Sequence, residues 1–333
     1  MTGSSAPVIE TRELAKRFGR TAALAGLTMS VARGEVFGFL GPNGAGKTTA
    51  VKLLLGLSAP TSGAATVLGA PIGDRETRRR IGYLPELFRY QAWMRAREVL
   101  ALHCELAGLP RHAWPVEVAA ALATAGLAAR GDDLVGTFSK GMQQRLGLGV
   151  ALLGHPELVV LDEPTSALDP VGRQDVRQVI HALKERGTTV FLNSHLLGEV
   201  ERVCDRVAIV DRGRVIARLG MGDLAAAVAV RLRVSGLDEA GADGVVAAFG
   251  RARRDGEWIV VGGMDEDRVP ELVAALAARG VRIHAVLPGH ETLEERFLDV
   301  LGARTDGMPG PSGSPDPASA AITGSRRPPA VDR

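Results

Sequence analysis

The segment GPNGAGKT at residues 41–48 limits the folds open to this sequence more than any other part of the chain. It matches the pattern G-x-x-x-x-G-K-[ST], and it stands between an apolar run, VFGFL at residues 36–40, and a segment with helical character. Glycines in such a turn let successive backbone N–H groups point at one anion, and the N-terminus of the following helix adds partial positive charge. The sequence therefore predicts a strand, a phosphate-binding loop and a helix in that order.

Two side chains of this loop have a predicted chemistry of their own. Lys47 is expected to reach the β- and γ-phosphates of a nucleotide, and the hydroxyl of Thr48 is expected to bind Mg²⁺. The predicted cofactors are therefore ATP and Mg²⁺. The nucleotide-binding residues predicted in and beside the loop are Gly41, Pro42, Asn43, Gly44, Ala45, Gly46, Lys47, Thr48 and Thr49.

A second acidic feature follows the apolar run LVVL at residues 158–161. Asp162 and Glu163 are adjacent carboxylates at the end of a predicted buried strand, where an unpaired charge is costly. A magnesium ion on a phosphate would explain them, with Asp162 as its ligand. Glu163 points to the other side of the pleat, and it is the predicted catalytic group that polarises the attacking water.

Apolar strands alternate with helical patterns through the first two thirds of the chain. Buried strands are predicted at 36–40, 158–161 and 190–192, and each ends in polar residues capable of catalysis. This alternation predicts an α/β fold with a largely parallel core sheet, which carries its ligands at the carboxyl ends of the strands. The predicted domain spans residues 8–222, with a helical subdomain at about 87–155.

The pattern changes after residue 222. The order strand, helix, two strands, helix, strand is compatible with a small ferredoxin-like α+β unit over residues 223–302, and a helix is predicted at 292–301. Residues 303–333 are rich in proline, glycine, serine and alanine, so this tail is predicted to be disordered.

Composition limits the possible partners. The net charge is +2, so charge alone gives no reason to expect nucleic acid or an anionic membrane as a partner. No stretch reaches the roughly 18 apolar residues that a membrane span needs. If the protein serves a membrane, we expect it to do so through a separate partner chain.

From residue 8 to about 220 the motifs resemble those of the ABC ATPase family. FSKGMQQRLGLGVALL, which begins at Phe138, is similar to the family signature LSGGQ and its helix, and Ser139 and Gly141 match the pattern. The departures from the signature resemble the ABC-2 exporter branch. The ending HETLEERFLDVLG is similar to the accessory segment of exporters of the daunorubicin-resistance type.

Three further positions carry the same resemblance. SALD, which ends at Asp169, is similar to the D-loop of the family, and His195 is similar to its switch histidine. Phe18 lies where the family stacks an aromatic ring on adenine. The resemblance implies that Phe18, Ser139, Gly141 and Asp169 contact nucleotide and that His195 is a catalytic residue.

The resemblance also implies how such a chain works. In the family two ATPase domains hold two ATP molecules head to tail, so Ser139 and Gly141 of one copy would meet the γ-phosphate on Lys47 of the other. The implied protein is a homodimer on the cytoplasmic face of the cell membrane, bound to a separate transmembrane permease. It would hydrolyse ATP to drive drug or antibiotic efflux.

Two features near the middle of the chain allow alternative interpretations. The sequence YLPE places Glu86 where the family usually has a glutamine, and this carboxylate is either a magnesium-facing group or a surface glutamate. The aromatic-rich stretch 87–100 is either the surface that receives the permease, by analogy with the family, or a locally packed helical lobe.

Other ATPase classes fit the sequence less well. Ribosome-associated members of the family carry two ATPase domains in one chain, whereas one set of motifs is present here. In DNA-repair members a long coiled coil separates the two nucleotide motifs. In this sequence the segment between Lys47 and Asp162 has no heptad pattern. A metabolic P-loop kinase would have no use for the signature motif or His195.

Overall fold

The structure is a computed structural model that describes residues 6–226, 228–236, 244, 246, 248–255 and 257–305. The strands are β1 Ile9–Phe18, β2 Thr21–Val31, β3 Val36–Leu40, β4 Ser62–Val67, β5 Ala70–Pro71, β6 Ile81–Leu84, β7 Leu158–Asp162, β8 Thr189–Asn193, β9 Arg206–Asp211, β10 Arg214–Gly220, β11 Val228–Ser235, β12 Arg251–Asp255, β13 Trp258–Met264 and β14 Arg282–His290. The helices are α1 Lys47–Leu54, α2 Arg75–Arg79, α3 Ala96–Leu106, α4 Trp114–Thr124, α5 Lys140–Ala151, α6 Pro170–Glu185, α7 Leu197–Val203, α8 Met221–Ala226, α9 Val269–Ala277 and α10 Leu293–Thr305.

A six-stranded sheet in the order β10-β9-β3-β8-β7-β6 forms the centre of the ATPase unit. Its strands pair in parallel, except that β10 runs antiparallel to β9. The predicted α/β fold with a largely parallel core sheet is therefore confirmed. Strands β3, β7 and β8 are neighbours, so the polar residues at their carboxyl ends meet at one edge.

A second sheet, in the order β2-β1-β4-β5, covers one face of the core sheet. The sequence predicts only short strands here, at about 8–11 and 27–31, but β1 and β2 form a long antiparallel hairpin with three register shifts. Those shifts interrupt the alternation of apolar and polar residues that marks a strand in a sequence. The cluster between the layers includes Phe39 and Phe191, whose ring centroids are 5.3 Å apart.

The opposite face of the core sheet packs against α6 and α7. Val159, Leu161 and Leu192 alternate with the residues of the first cluster and join Val176 and Val200 there. Leu224 of α8 and Leu293 of α10 also belong to this second cluster. The C-terminal part of the chain therefore completes the core of the ATPase unit.

The helical subdomain packs α3, α4 and α5 around its own apolar cluster, which includes Val99, Leu122 and Leu146. Helix α5 also contacts β6 of the core sheet, so the subdomain is attached along one edge of that sheet.

The C-terminal unit contains an antiparallel sheet in the order β12-β13-β11-β14, and α9 packs against β14. The predicted helix at 239–249 lies largely outside the described residues, so the ferredoxin-like unit stays a prediction. Helix α10 continues to Thr305, and residues 306–333 of the predicted disordered tail lie outside the described residues as well.

Candidate functional site

The phosphate loop joins β3 to α1, and two of its glycines have no room for a side chain. A Cβ on Gly41 would lie 2.2 Å from the carbonyl oxygen of Val210, and a Cβ on Gly46 would lie 2.3 Å from that of Ala23. Gly46 also has a φ of 99°, which L-residues rarely adopt. The loop is thus held tightly between β9 and β2, with α1 beginning directly after Gly46.

Lys47 bends back over the loop that carries it. Its Nζ donates to the carbonyl oxygen of Gly41 at 2.7 Å and to that of Pro42 at 3.2 Å. Burial lowers the pKa of Lys47, and the nearby carboxylates Glu163, Asp162 and Glu86 oppose that shift. The ammonium group is therefore partly desolvated, and its positive charge is suited to binding an anion that replaces water.

Asp162 is buried at the end of β7, next to Asn193 at the end of β8. Asn193 Nδ2 donates to Asp162 Oδ1 at 2.5 Å, and burial raises the pKa of Asp162 despite this bond. Asn193 Oδ1 is buried and has no hydrogen-bond partner among the described residues. A free acceptor beside a carboxylate fits a hydrated cation, because water bound to a cation is a strong donor.

Glu163 has an unusual backbone conformation. Its φ is 53°, and its N–H donates to the carbonyl oxygen of Asn193 at 2.8 Å. A non-glycine residue in the left-handed region is strained, so the surrounding contacts hold it there. This conformation turns the side chain toward the segment after β8, where His195 Nδ1 lies 2.8 Å from Glu163 Oε2.

The backbone carbonyl of Glu163 accepts hydrogen bonds from two side chains. Gln144 Nε2 of α5 donates to it at 3.3 Å, and Ser166 Oγ donates at 3.1 Å. Helix α5 begins at the segment that resembles the signature, and Ser166 begins the segment that resembles the D-loop. Both segments are therefore connected directly to the backbone of Glu163.

These groups line one cleft of about 700 Å³. Of the residues predicted from the sequence, Lys47, Thr48, Glu86, Glu163 and His195 lie on its wall, while Asp162 and Ala45 are buried behind it. The lining residues are Thr21, Ala22, Ala23, Gly41, Pro42, Asn43, Gly44, Gly46, Lys47, Thr48, Thr49, Glu86, Glu163, Asn193, Ser194, His195, Leu197 and Phe297.

Other predicted residues lie outside this cleft. The Ser139 side chain accepts from the N–H of Met142 at the start of α5, and Asp169 accepts from the N–H of Gly172 at the start of α6. A Cβ on Gly141 would lie 3.2 Å from Leu168. The signature-like segment and the D-loop-like segment therefore pack on each other.

Phe18 lies at the end of the β1–β2 hairpin, where it pairs with Thr21. Thr21 lines the cleft, but the Phe18 ring is 55% exposed and does not belong to the lining. Lys16 Nζ lies 5.0 Å from the centre of this ring. The Phe18 side chain thus presents an exposed aromatic ring beside the cleft.

The site residues predicted from the sequence do not include seven residues of the cleft lining, which are Thr21, Ala22, Ala23, Asn193, Ser194, Leu197 and Phe297. Asn193 and Leu197 flank the predicted His195, so their proximity could have indicated them. Leu293 and Phe297 are spaced i and i+4, which predicts a common helix face. The spacing does not tell which surface that face contacts.

Comparison with known proteins agrees with this geometry. The ABC transporter family model matches residues 24–166. An ABC transporter ATP-binding protein of Synechocystis is 38% identical over 316 residues, which cover 90% of this chain and 86% of the relative. This chain belongs to the ABC transporter ATP-binding family. It is accordingly an ATP-binding transporter subunit with ATPase activity.

Several relatives of this ABC subunit have named roles. The bacitracin transport ATP-binding protein BcrA of Bacillus licheniformis is 41% identical over 64% of this chain and 69% of its own length. The linearmycin resistance ATP-binding protein LnrL of Bacillus subtilis is 36% identical over 70% of this chain and 77% of its own length.

Solved structures share the fold of this ABC subunit. The ATP-binding subunit of an ABC transporter superposes with a TM-score of 0.60 at 30% identity and covers 65% of this chain and 91% of its own length. A dimeric ATP-binding cassette bound to ADP and phosphate superposes with a TM-score of 0.59 at 23% identity, over 64% of this chain and 98% of its own length. Among the described residues, no helix combines the length and the apolar character that crossing a membrane requires.

Proposed function

We propose that this ABC subunit is a homodimeric ATPase that drives export of a drug or antibiotic through a separate transmembrane permease on the cytoplasmic face of the membrane. The observation that carries the proposal is the separation of the motifs. Lys47, Glu163 and His195 line the cleft, whereas Ser139, Gly141 and Asp169 lie elsewhere on the same chain. Such a half-site is complete only when a second copy supplies the missing groups.

In the proposed site the phosphate loop binds and orients ATP. Backbone N–H groups between Gly41 and Thr49 hold the phosphates, and Lys47 balances their charge at the γ-phosphate. Ser139 and Gly141 of the second copy contact the same phosphate from the other side. The exposed ring of Phe18 packs on the adenine base.

Three side chains would hold Mg²⁺: the Thr48 hydroxyl, the Asp162 carboxylate and Glu86. The acceptor Asn193 Oδ1, which has no partner among the described residues, fits a water molecule on that ion. The ion would supply charge that stabilises the developing negative charge on the phosphate oxygens.

Glu163 is the proposed general base. It is buried at the cleft wall, where it can accept a proton from the water that attacks the γ-phosphate. His195 holds Glu163 Oε2 through its Nδ1 and can donate from its other ring nitrogen to the phosphate. The direct contact makes the orientation of the base dependent on the position of His195.

The efflux part of the proposal rests on the named relatives and on the surface beside Glu86. Leu87 is 85% exposed and Trp93 is 74% exposed, an apolar pair that fits a partner protein better than water. We expect the permease to cover this surface, and its cargo to be an antibiotic, as the names of the bacitracin and linearmycin relatives suggest.

The test is transport by the reconstituted pair. Membrane vesicles that contain this subunit and a candidate permease should accumulate a labelled antibiotic with ATP, and the Lys47→Ala and Glu163→Gln variants should abolish that accumulation. Uptake that continues with both variants would contradict the proposed function. ATP hydrolysis without transport of any labelled antibiotic would contradict the export part of the proposal and leave the ATPase assignment standing.

A further inference from the structure

Phe297 is the one residue of α10 on the wall of the nucleotide cleft, as far as the described residues define it. It comes from the C-terminal unit, more than two hundred positions after the phosphate loop, and it shares this wall with His195 and Leu197. Leu197 is the first residue of α7. Phe297 and Leu197 also pack against the same apolar cluster.

Helix α10 is fixed to α7 at its N-terminus. The backbone N–H of Leu293 donates to Glu201 Oε2 at 3.3 Å, and the Leu293 side chain is fully buried in the cluster that contains Val200 and Val203. Helices α7 and α10 contact each other along this face. A shift of α10 therefore displaces α7, because close-packed apolar surfaces do not slide freely.

The same helix is fixed to the C-terminal sheet by buried carboxylates. Arg231 of β11 donates to Glu295 Oε1 of α10 at 2.8 Å, and Arg251 of β12 donates at 2.6 Å to Glu291, which lies two residues before the helix. Glu291 and Glu295 are 4% and 7% exposed, so loss of either arginine would remove a positively charged partner from a buried carboxylate. Burial alone would raise the pKa of Glu295, but hydrogen bonds from Thr292 and Arg231 outweigh it and lower that pKa.

The segment between β8 and α7 is short. His195 is separated from Leu197 by a single residue, and Leu196 N–H donates to Ser194 Oγ at 3.1 Å. Half of the His195 side chain is exposed, so few contacts besides Glu163 hold its ring. The end of β8 and the start of α7, each two residues from His195, therefore set where His195 lies.

We propose that Phe297 is a positioning residue for ATP hydrolysis, which acts through Leu197 and α7 to hold His195 against Glu163. The C-terminal sheet thereby becomes part of the hydrolytic apparatus, since α10 joins it to the cleft. This inference rests on the proposed role of His195. It requires no contact between Phe297 and the nucleotide.

The experiment compares Phe297→Ala with Leu298→Ala in the full-length chain. Leu298 is the next residue of α10, and its side chain is 46% exposed, so it serves as a matched control. We expect kcat for ATP hydrolysis to fall about tenfold in Phe297→Ala, because small displacements of catalytic groups cost that much or more. KM for ATP should change by less than about threefold, and Phe297→Leu should restore most of kcat.

Three results would overturn the inference. They are a kcat for Phe297→Ala equal to that of Leu298→Ala, a change confined to KM, and a Phe297→Ala effect that remains in a His195→Ala background. In the last comparison we expect no further loss, because a residue that acts through His195 has nothing to position once the imidazole is gone. If the wild-type chain hydrolyses ATP and one of these three results is obtained, the ATPase assignment stands and only this inference is wrong.

A second variant keeps the test decisive if Phe297→Ala does not fold. Glu201→Ala removes the acceptor for the N–H of Leu293 and loosens α10 on α7 without emptying the core. Like Phe297→Ala, this variant should lower kcat for ATP hydrolysis, by about threefold. If Phe297→Ala is unfolded, a wild-type kcat in Glu201→Ala would refute the positioning role.

Discussion

His195 Nδ1 lies 2.8 Å from Glu163 Oε2, so the residue that resembles the switch histidine directly contacts the candidate base. Glu163 directly follows β7 and His195 lies in the segment after β8, and these two strands are neighbours in the core sheet. Glu163 has a positive φ of 53° at this point. A base held in this way has one oxygen engaged, which leaves the other to accept a proton from water.

Replacement of the candidate base should separate hydrolysis from binding. Glu163→Gln keeps the size of the side chain but removes a proton acceptor, so we expect kcat to fall by about 10²–10⁴ while ATP affinity stays within about threefold. Lys47→Ala should instead lose ATP affinity. Hydrolysis assays and fluorescent-nucleotide titrations on the same preparations measure both. Retained hydrolysis in Glu163→Gln would assign the base to another group.

Glu86 should tolerate exchange for the amide that the family usually has. It lines the cleft with Lys47 and Thr48, and either side chain offers an oxygen to a hydrated cation. We therefore expect Glu86→Gln to keep ATPase activity within about tenfold of wild type. Complete inactivation, with ATP binding intact, would show that the negative charge is itself required.

The aromatic stretch after Glu86 divides into two kinds of residue. Tyr90 packs against the apolar cluster of the helical subdomain, its ring centroid lies 5.6 Å from that of His103, and burial raises its pKa. Trp93 is exposed. Tyr90→Ser should therefore lower the free energy of unfolding by about 3 kcal/mol, whereas Trp93→Ser should change it by less than about 0.5 kcal/mol.

The Trp93→Ser variant also tests the surface proposed for the permease. Trp93→Ser should weaken retention of the subunit by permease-containing membranes in a sedimentation assay, with ATP affinity unchanged. Normal retention of Trp93→Ser would remove this side chain from the docking surface.

Glu157 should make folding depend on pH. Hydrogen bonds from Arg80 and Arg33 lower the pKa of Glu157 to about 2, below its unfolded value of about 4.3. The ion pairs therefore contribute stability above pH of about 4.3, and this contribution disappears as pH falls through about 2. Since the groups are 40–48% exposed, solvent screening limits the contribution to about 1 kcal/mol.

Urea unfolding of Glu157→Gln and wild type at several pH values checks this expectation. The difference in free energy should be greatest near neutral pH and should close toward pH of about 2. Glu76→Gln, which removes an exposed ion pair with Arg79 in α2, is the control and should stay within about 0.5 kcal/mol of wild type. A constant difference for Glu157→Gln across the range would assign its effect to packing.

The core of the site could be predicted from the sequence because its signals are local. Gly41 to Thr48 are contiguous, and Asp162, Glu163 and His195 each follow an apolar run that identifies a strand end. Parallel strands bring such ends together whatever lies between them. The cleft then follows from the order of the strands.

Features that depend on distant pairing could not be predicted in the same way. The β1–β2 hairpin carries register shifts that break the alternating pattern, so the sequence predicts strands shorter than those observed. Phe297 belongs to a helix whose apolar face was recognisable, but its contact with the wall beside Leu197 is set by tertiary packing. Periodicity indicates that a face is buried and does not indicate its partner.

Leu293 comes from the C-terminal unit, but its side chain is fully buried in the cluster between the core sheet and helices α6 and α7. The order of helices and strands changes near residue 222, but one hydrophobic core contains residues from both sides of that boundary. A gene fusion that exchanges accessory units between relatives would place a foreign helix on Val200 and Val203. Recombination should therefore preserve the two parts as a matched pair, and substitutions on the facing sides of α7 and α10 should be inherited together.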